Sequence, residues 1–90
     1  MYSVSFSNQF KRDYKRCVKR NYDIAALEIV LQTLRETGAL PSKYKPHLLI
    51  GNNSGFWECH IKNGWLLIWF QSENTKEIYL DRLGTHSDLF

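Results

Sequence analysis

The sequence is poor in the residues that mark several large classes of protein. Its 90 residues include only two cysteines, too few and too far apart for a disulfide scaffold or a cysteine-based zinc site. We expect both thiols to be reduced and buried. No apolar run approaches the roughly 20 residues that span a bilayer. The start lacks the pattern of a secretory signal, so we expect one cytoplasmic domain over residues 1–90, with no membrane partner.

Positive charge is concentrated near the N-terminus. The formal net charge is +3, but residues 1–20 hold six basic side chains and one acidic one, whereas the remainder holds six and eight. At helical spacing the cations share one arc, opposite an arc that contains Phe10, Tyr14, Cys17 and Val18. The cations are Lys11, Arg12, Lys15, Arg16, Lys19 and Arg20. This arc is either a solvated helix face or a surface for a polyanion, and charge alone leaves both open.

Hydrophobic periodicity predicts two helices after a short N-terminal strand. Apolar residues alternate with serines from Tyr2 to Phe6, and the period becomes helical after Ser7 or Asn8, either of which is a good N-cap. Asp23 can cap a second helix that ends before Gly38. The short connection between the helices predicts an antiparallel pair.

The second half of the chain predicts a long loop and a three-stranded antiparallel meander. Residues 39–55 form the loop, and residues 56–61, 65–71 and 76–82 form the strands. The fold class is therefore α+β, with both helices on one face of a four-stranded sheet. Asn63-Gly64 predicts a type I′ turn. In the resulting register His60, Trp65 and Arg82 lie together on the face away from the helices, and Leu66 and Ile68 lie toward the helices.

Three histidines and Arg82 lie in this aromatic-rich second half. Imidazoles exchange protons near neutral pH, and an arginine can stabilise charge that develops on a phosphate. His47, His60 and His86 with Arg82 therefore fit metal-independent RNA cleavage, which removes the 2′-hydroxyl proton and protonates the 5′-oxygen. Isolated histidines are more often surface residues, and a three-histidine metal site also stays open, although no pair has the i, i+2 or i, i+4 spacing.

Several motifs together resemble the YafQ branch of the RelE/ParE toxin superfamily. They are Tyr44-Lys45-Pro46-His47-Leu48, Trp57-Glu58-Cys59-His60-Ile61, Trp65-Leu66-Leu67-Ile68 and Arg82-Leu83-Gly84-Thr85-His86-Ser87-Asp88-Leu89-Phe90. The terminal motif is the most specific, and the similarity covers nearly the whole chain.

The resemblance implies a type II toxin that cuts mRNA on the ribosome and is inhibited by a cognate antitoxin. It implies no cofactor and no metal, and contact with operator DNA only through the antitoxin complex. By position, the catalytic residues would be His47, His60, Arg82 and His86. His86 would be the general acid, His47 and His60 would share the base and phosphate-positioning roles, and Arg82 would stabilise the transition state.

RNA binding falls on two groups of residues. The resemblance assigns Trp65 and Phe90, and with them Lys45, to contacts with mRNA or ribosomal RNA. In a toxin, the cationic helix face would bind ribosomal RNA electrostatically. That face comprises Lys11, Arg12, Lys15, Arg16 and Lys19.

The chain departs from the family pattern at three positions. Gly64 stands where the family usually has an aspartate, Trp57 where it often has arginine, and Leu83 where it has threonine. The missing carboxylate favours an alternative, a toxin-fold protein that blocks translation or binds an antitoxin without cutting RNA. A gyrase-directed relative generally lacks these histidines, and a generic nucleic-acid-binding domain would use only the helix face.

Overall fold

The computed structural model describes residues 1–51 and 55–90. In chain order the elements are β1 (Ser3–Phe6), α1 (Asn8–Lys19), α2 (Ile24–Thr37), a 3₁₀ turn (Ser42–Tyr44), β2 (His47–Leu48), β3 (Phe56–Lys62), β4 (Trp65–Ser72), β5 (Glu77–Gly84) and α3 (His86–Leu89). The predicted α+β class and element order are confirmed. Residues 52–54 of the predicted loop lie outside the described residues.

Both long helices begin at the predicted caps. The Ser7 hydroxyl accepts a hydrogen bond from the Phe10 amide at 2.9 Å, and the Asp23 carboxylate accepts one from the Ala26 amide at 3.1 Å. Gly38 ends α2 in the left-handed region at φ 70°. The Tyr2 ring packs so closely on Gly38 that a side chain there would collide with it. Among the described residues, no helix has the length and apolar character needed to cross a membrane.

The sheet has one more strand than predicted. Its order is β1-β5-β4-β3-β2, with β1 parallel to β5 and the other neighbours antiparallel. The additional strand is the two-residue β2, which lies within the predicted loop and pairs with β3. Two residues carry almost no periodic signal, which explains why the alternation of apolar residues did not reveal this strand.

The helices pack on one face of the sheet and form the core there. Leu27, Val30 and Leu34 of α2 are buried against strand residues that include Leu67 and Trp69. On α1 the buried residues are Phe10, Asp13 and Cys17, whereas Val18, which was predicted to be buried, is exposed.

The two cysteines lie in this core. Cys17 and Cys59 are both buried and free, as predicted. Burial raises the pKa of the Cys59 thiol to about 12, and burial also raises the pKa of Cys17. Neither thiol is therefore available as a thiolate nucleophile at neutral pH.

Two bulges shift the predicted strand register. Lys62 pairs with Trp65 as predicted, but an irregularity at Ile61 places His60 opposite Leu66 rather than Leu67. Arg82 lies opposite Ile68 rather than Trp65 for two reasons: the turn between β4 and β5 lies one residue later than predicted, with Ser72 paired to Glu77, and Asp81 has no partner on β4. The turn is not of type I′, which needs positive φ at both central residues, since only Gly64 has one.

The shifted register puts the side chains of β4 on the opposite faces from those predicted. Trp65, Leu67 and Trp69 belong to the core under the helices, while Leu66 and Ile68 pair with residues of the other face. Trp65 is 3% exposed and packs edge-on against Tyr22 with ring centroids 5.0 Å apart. Its predicted position beside His60 and Arg82 was wrong. A bulge inserts one residue, and one residue inverts the alternation of a strand.

Candidate active site

The sheet face away from the helices, called the open face, carries a row of four residues, of which three are polar. His47 pairs with Glu58, Glu58 with Ile68, and Ile68 with Arg82. Residues directly opposite one another in adjacent strands point to the same side of a sheet. The row therefore places His47 and Glu58 on one side of Ile68 and Arg82 on the other.

The neighbouring row brings His60 and the start of α3 to the same region. His60 pairs with Leu66, and Leu66 pairs with Gly84 at the end of β5. Two strand spacings separate His60 from Gly84, roughly 10 Å. His86 follows as the first residue of α3 and is exposed. The open face therefore carries or borders all four predicted catalytic residues in one region. They are His47, His60, Arg82 and His86.

Asp13 of α1 holds Arg82. The Arg82 Nε donates to Asp13 Oδ2 at 2.8 Å, and the Asp13 side chain is fully buried. The Leu83 amide also donates to Asp13 Oδ2, at 3.0 Å. Because β1 ends at Phe6, the edge of β5 that faces β1 has no strand partner beyond Leu80, and the carboxylate of Asp13 accepts the hydrogen bond of the Leu83 amide there.

These contacts keep Asp13 ionised. Burial raises the pKa of Asp13, but hydrogen bonds from Arg82, the Leu83 amide and Gln9 outweigh burial, so its pKa lies below the ordinary value. The same contact with Asp13 raises the pKa of Arg82. Arg82 is therefore a permanent cation with a fixed orientation, and its side chain remains 27% exposed at the site.

Two arginines of α1 tie α3 to the helix layer. The Arg20 Nη1 donates to Asp88 Oδ2 at 2.9 Å, and the Arg16 Nη2 lies 3.1 Å from Asp13 and 3.8 Å from Asp88. Asp88 also accepts from the Thr85 amide, while the Thr85 hydroxyl accepts from the Asp88 amide, which forms a capping box. These contacts fix the helix on which His86 lies.

His47 lies between two oxygen atoms at the other end of the row. Its Nδ1 is 2.8 Å from the Lys45 carbonyl oxygen, and its Nε2 is 3.2 Å from Glu58 Oε1. The Glu58 side chain is only 10% exposed. The rings of His47 and His60 are 6.5 Å apart between centroids.

The predicted RNA-binding residues divide into exposed and engaged groups. Lys45 and Phe90 are exposed, and the Phe90 ring lies 4.9 Å from the His86 ring. Arg16 is occupied by Asp13 and Asp88 rather than displayed to solvent as predicted, and Trp65 is in the core. The exposed cations of α1 are Lys11, Arg12, Lys15 and Lys19, with Arg20 paired to Asp88.

Sequence reasoning missed Asp13 as part of the site. Its signal was present, because Asp13 is the single acidic residue of a basic segment and is three residues from Phe10 and four from Cys17. That spacing places it on the buried side of α1. A carboxylate on a buried helix face needs a cationic partner. The partner, Arg82, lies 69 residues further along the chain.

Almost the whole chain matches one known protein family. Residues 2–90 match the family described as bacterial toxin of type II toxin-antitoxin system, YafQ. The chain belongs to the YafQ family of toxins. It is 33% identical over 88 residues to the mRNA interferase toxin YafQ of Escherichia coli K12, which covers 97% of this chain and 94% of that protein.

Solved structures of this family share the fold. The toxin in the Escherichia coli DinJ-YafQ toxin-antitoxin complex is 32% identical, with a TM-score of 0.89 over 99% of this chain and 97% of that chain. A metal-bound toxin from Helicobacter pylori is 37% identical, with a TM-score of 0.90 over the full length of both chains. In residues 1–51 and 55–90 of this YafQ-family chain, no group of three or more His, Cys, Asp or Glu side chains is arranged to hold a metal ion.

Proposed function

We propose that this YafQ-family chain is a ribosome-dependent endoribonuclease that cleaves mRNA in the cytoplasm and so inhibits translation. The observation that carries the proposal is the open-face row, in which His47 and Glu58 lie on one side of Ile68 and Arg82 on the other. His60 and His86 flank that row. The arrangement combines imidazoles for proton transfer with a fixed cation for phosphate.

In the proposed reaction, the 2′-oxygen of one nucleotide displaces the 5′-oxygen of the next nucleotide from the phosphate that joins them. A histidine base removes the 2′-hydroxyl proton, the 2′-oxygen attacks phosphorus, and the bond to the 5′-oxygen breaks. His86 donates the proton that this leaving oxygen needs. Arg82, held in place by Asp13, stabilises the charge on the phosphate oxygens. The proposed reaction uses no cofactor.

RNA would reach this site along two surfaces. Lys45 lies beside His47, and Phe90 presents a ring that is 53% exposed, suitable for stacking on an unpaired base. The cations Lys11, Arg12, Lys15 and Lys19 form a separate surface on α1 that suits ribosomal RNA phosphates. Trp65 is not part of either RNA surface in this proposal. Its ring packs against Tyr22 in the core and so contributes to the stability of the fold.

A cognate antitoxin is the proposed protein partner. The Escherichia coli relative forms a complex with its antitoxin DinJ. On this chain Ile29 of α2 is 59% exposed and lines a cavity of about 360 Å³ with Lys43 and Lys62. An acidic segment with an apolar residue would fit there. Trp69 and Ile78 of the sheet offer no such surface, because both residues are 1% exposed and lie in the core. Operator DNA would be contacted only within the antitoxin complex.

Substitution of Ile29 tests this partner surface. Ile29→Asp should weaken antitoxin binding at least tenfold, because it places a negative charge at an apolar contact. Val18→Asp is the control, since Val18 is an equally isolated exposed apolar residue on α1. Equal affinity of the two variants in titration calorimetry contradicts the Ile29 surface.

Induced expression with mapping of mRNA 5′ ends tests the nuclease. Wild type should arrest growth and produce cuts at fixed codon positions, and His86→Ala should abolish both. Ser87→Ala is the matched control, because Ser87 is the exposed neighbour of His86 on α3. Loss of cutting in both variants would point to disruption of α3 rather than removal of the acid.

Gly64 favours a second candidate, a toxin that inhibits translation without cutting. Gly64 lines a cavity with Thr85, the residue before His86, so the aspartate that the family pattern has there would lie near the proposed acid. A Cβ at Gly64 would meet no neighbouring atom within 4 Å, but the φ of 77° is one that residues with a side chain rarely adopt, so an aspartate there would be strained. Growth arrest that survives His86→Ala without cuts supports this candidate. Gly64→Asp should increase cutting if the missing carboxylate limits the nuclease.

A further inference from the structure

Both ring nitrogens of His47 face oxygen atoms that can only accept hydrogen bonds. Nδ1 lies 2.8 Å from the backbone carbonyl of Lys45, and Nε2 lies 3.2 Å from Glu58 Oε1. A carbonyl has no proton to donate, and neither does an ionised carboxylate. A neutral imidazole would direct the lone pair of one nitrogen at an oxygen lone pair. Only the doubly protonated ring suits both neighbours.

Glu58 has no other partner in the described part of the chain. The residue is 7% exposed, and a carboxylate this buried is normally paired. Arg82 lies beyond Ile68 in the same row and is already held by Asp13. His47 is thus the one cation among the described residues that meets the Glu58 carboxylate.

His60 differs from His47 in its surroundings. Within residues 1–51 and 55–90, its ring makes no hydrogen bond and no salt bridge, in contrast to the ring of His47. Its ring is partly buried and 6.5 Å from that of His47 between centroids. The ring of His60 can therefore keep an unprotonated nitrogen, which a general base requires.

We infer that Glu58 is a positioning residue that keeps His47 a doubly protonated cation for phosphate, and that His60 is the general base. This assignment rests on the proposed nuclease function. It divides two roles that the sequence left shared between His47 and His60. It also gives this chain a carboxylate at its active site, although at the His47 end and not beside His86, where the residue at position 64 would lie.

Nitrogen-15 NMR of the histidine rings tests the assigned protonation states independently of RNA cleavage. At pH 7, wild-type protein should show both nitrogens of His47 protonated and one nitrogen of His60 unprotonated. Glu58→Gln should leave His47 with a proton on Nδ1 alone, and Glu58→Asp, which retains the charge, should restore the wild-type pattern at least in part. A neutral His47 in wild type overturns the inference, whether or not the proton has moved to Glu58.

Single-turnover cleavage on programmed ribosomes tests the two histidine roles. His47→Lys keeps a fixed cation and should retain cleavage within about tenfold of wild type, whereas His60→Lys removes the base and should lose at least a hundredfold. Added imidazole should partly rescue His60→Ala. The reverse result, with His60→Lys active and His47→Lys inactive, contradicts the assignment.

Glu58→Gln connects the NMR measurement with the cleavage measurement, because the same variant is examined in both. It should slow cleavage about tenfold while leaving ribosome binding unchanged, and Glu58→Asp should recover part of the rate. An unaffected cleavage rate in Glu58→Gln contradicts the positioning role. If wild type does not cleave at all, the nuclease proposal fails, and the NMR spectra still decide whether Glu58 holds His47 as a cation.

Discussion

Arg82 and His47 lie at opposite ends of one row, and each is held by a carboxylate, but the two carboxylates differ in what else they hold. Asp13 is fully buried and accepts from Arg82, Arg16, Gln9 and the Leu83 amide. Glu58 meets only His47 among the described residues, and the His47 side chain is 48% exposed. The Asp13 contacts join α1 to β5, whereas the Glu58 contact joins two neighbouring strands.

A cation of the candidate site can therefore be fixed either by the whole fold or by a local ion pair. At the Arg82 end the carboxylate closes the sheet edge, so its removal affects both the fold and the site. At the His47 end the carboxylate affects the state of one ring. Loss of Asp13 should therefore reduce both stability and activity, whereas loss of Glu58 should reduce mainly activity.

The largest effect should come from Asp13. We expect Asp13→Asn to lower the free energy of unfolding by about 3 kcal/mol, because it leaves Arg82 without its buried partner. Urea unfolding measures this change. Glu28→Gln, which removes an exposed carboxylate of α2, serves as the control and should be neutral. A loss below 1 kcal/mol in Asp13→Asn would mean that the two ends do not differ.

The pH dependence of the unfolding free energy in acid should also reveal the Asp13 carboxylate. The folded pKa of Asp13 lies below its ordinary value of about 3.9. Its contribution is therefore complete above that ordinary value and is lost as the pH falls through the folded pKa. The unfolding free energy of wild type should fall more steeply below about pH 4 than that of Asp13→Asn. Parallel curves for the two proteins would contradict the assigned pKa direction.

A smaller effect should follow loss of the cap of α3. Thr85→Ala removes the hydroxyl that accepts from the Asp88 amide and should cost about 1 kcal/mol. Amide exchange in residues 86–89 should rise, and cleavage should fall because His86 loses its support. Thr33→Ala on α2 is the control, since its hydroxyl bonds only the carbonyl of its own helix. Unchanged exchange in α3 would show that the Thr85 hydroxyl does not stabilise this helix.

The smallest effect on stability should come from Glu58. Glu58→Gln should change the unfolding free energy by only about 0.5 kcal/mol, because its partner His47 is 48% exposed and an ion pair with an exposed partner contributes little. Thermal unfolding of this variant beside Asp13→Asn tests the comparison directly. A destabilisation as large as that of Asp13→Asn would place Glu58 among the residues that hold the fold.

Local patterns in the sequence predicted the parts of the structure that depend on local interactions. The caps at Ser7, Asp23 and Gly38 lie where they were predicted, since each bonds residues three or four positions away. The three long strands were also located to within two residues. The two-residue β2 was missed, because its pairing with β3 and not its own pattern makes it a strand.

The sequence named candidate residues for a site but did not predict how they are arranged. Its histidines and Arg82 could be named from residue chemistry and from resemblance to the YafQ branch. The side of the sheet on which Trp65 lies could not, because it depends on bulges near Ile61 and Asp81. A bulge adds one unpaired residue without a local signature, and every later pairing changes with it.

The α+β class, the two capped helices, the meander and the set of candidate proton-transfer groups follow from the sequence alone. The contact of Asp13 with Arg82, the contact of Glu58 with His47 and the core position of Trp65 arise only in the folded chain. These two groups of features differ in the sequence separation of the residues that produce them. Helix caps and alternation arise from residues a few positions apart, whereas the contact between Asp13 and Arg82 spans 69 residues and exists only when α1 packs against β5.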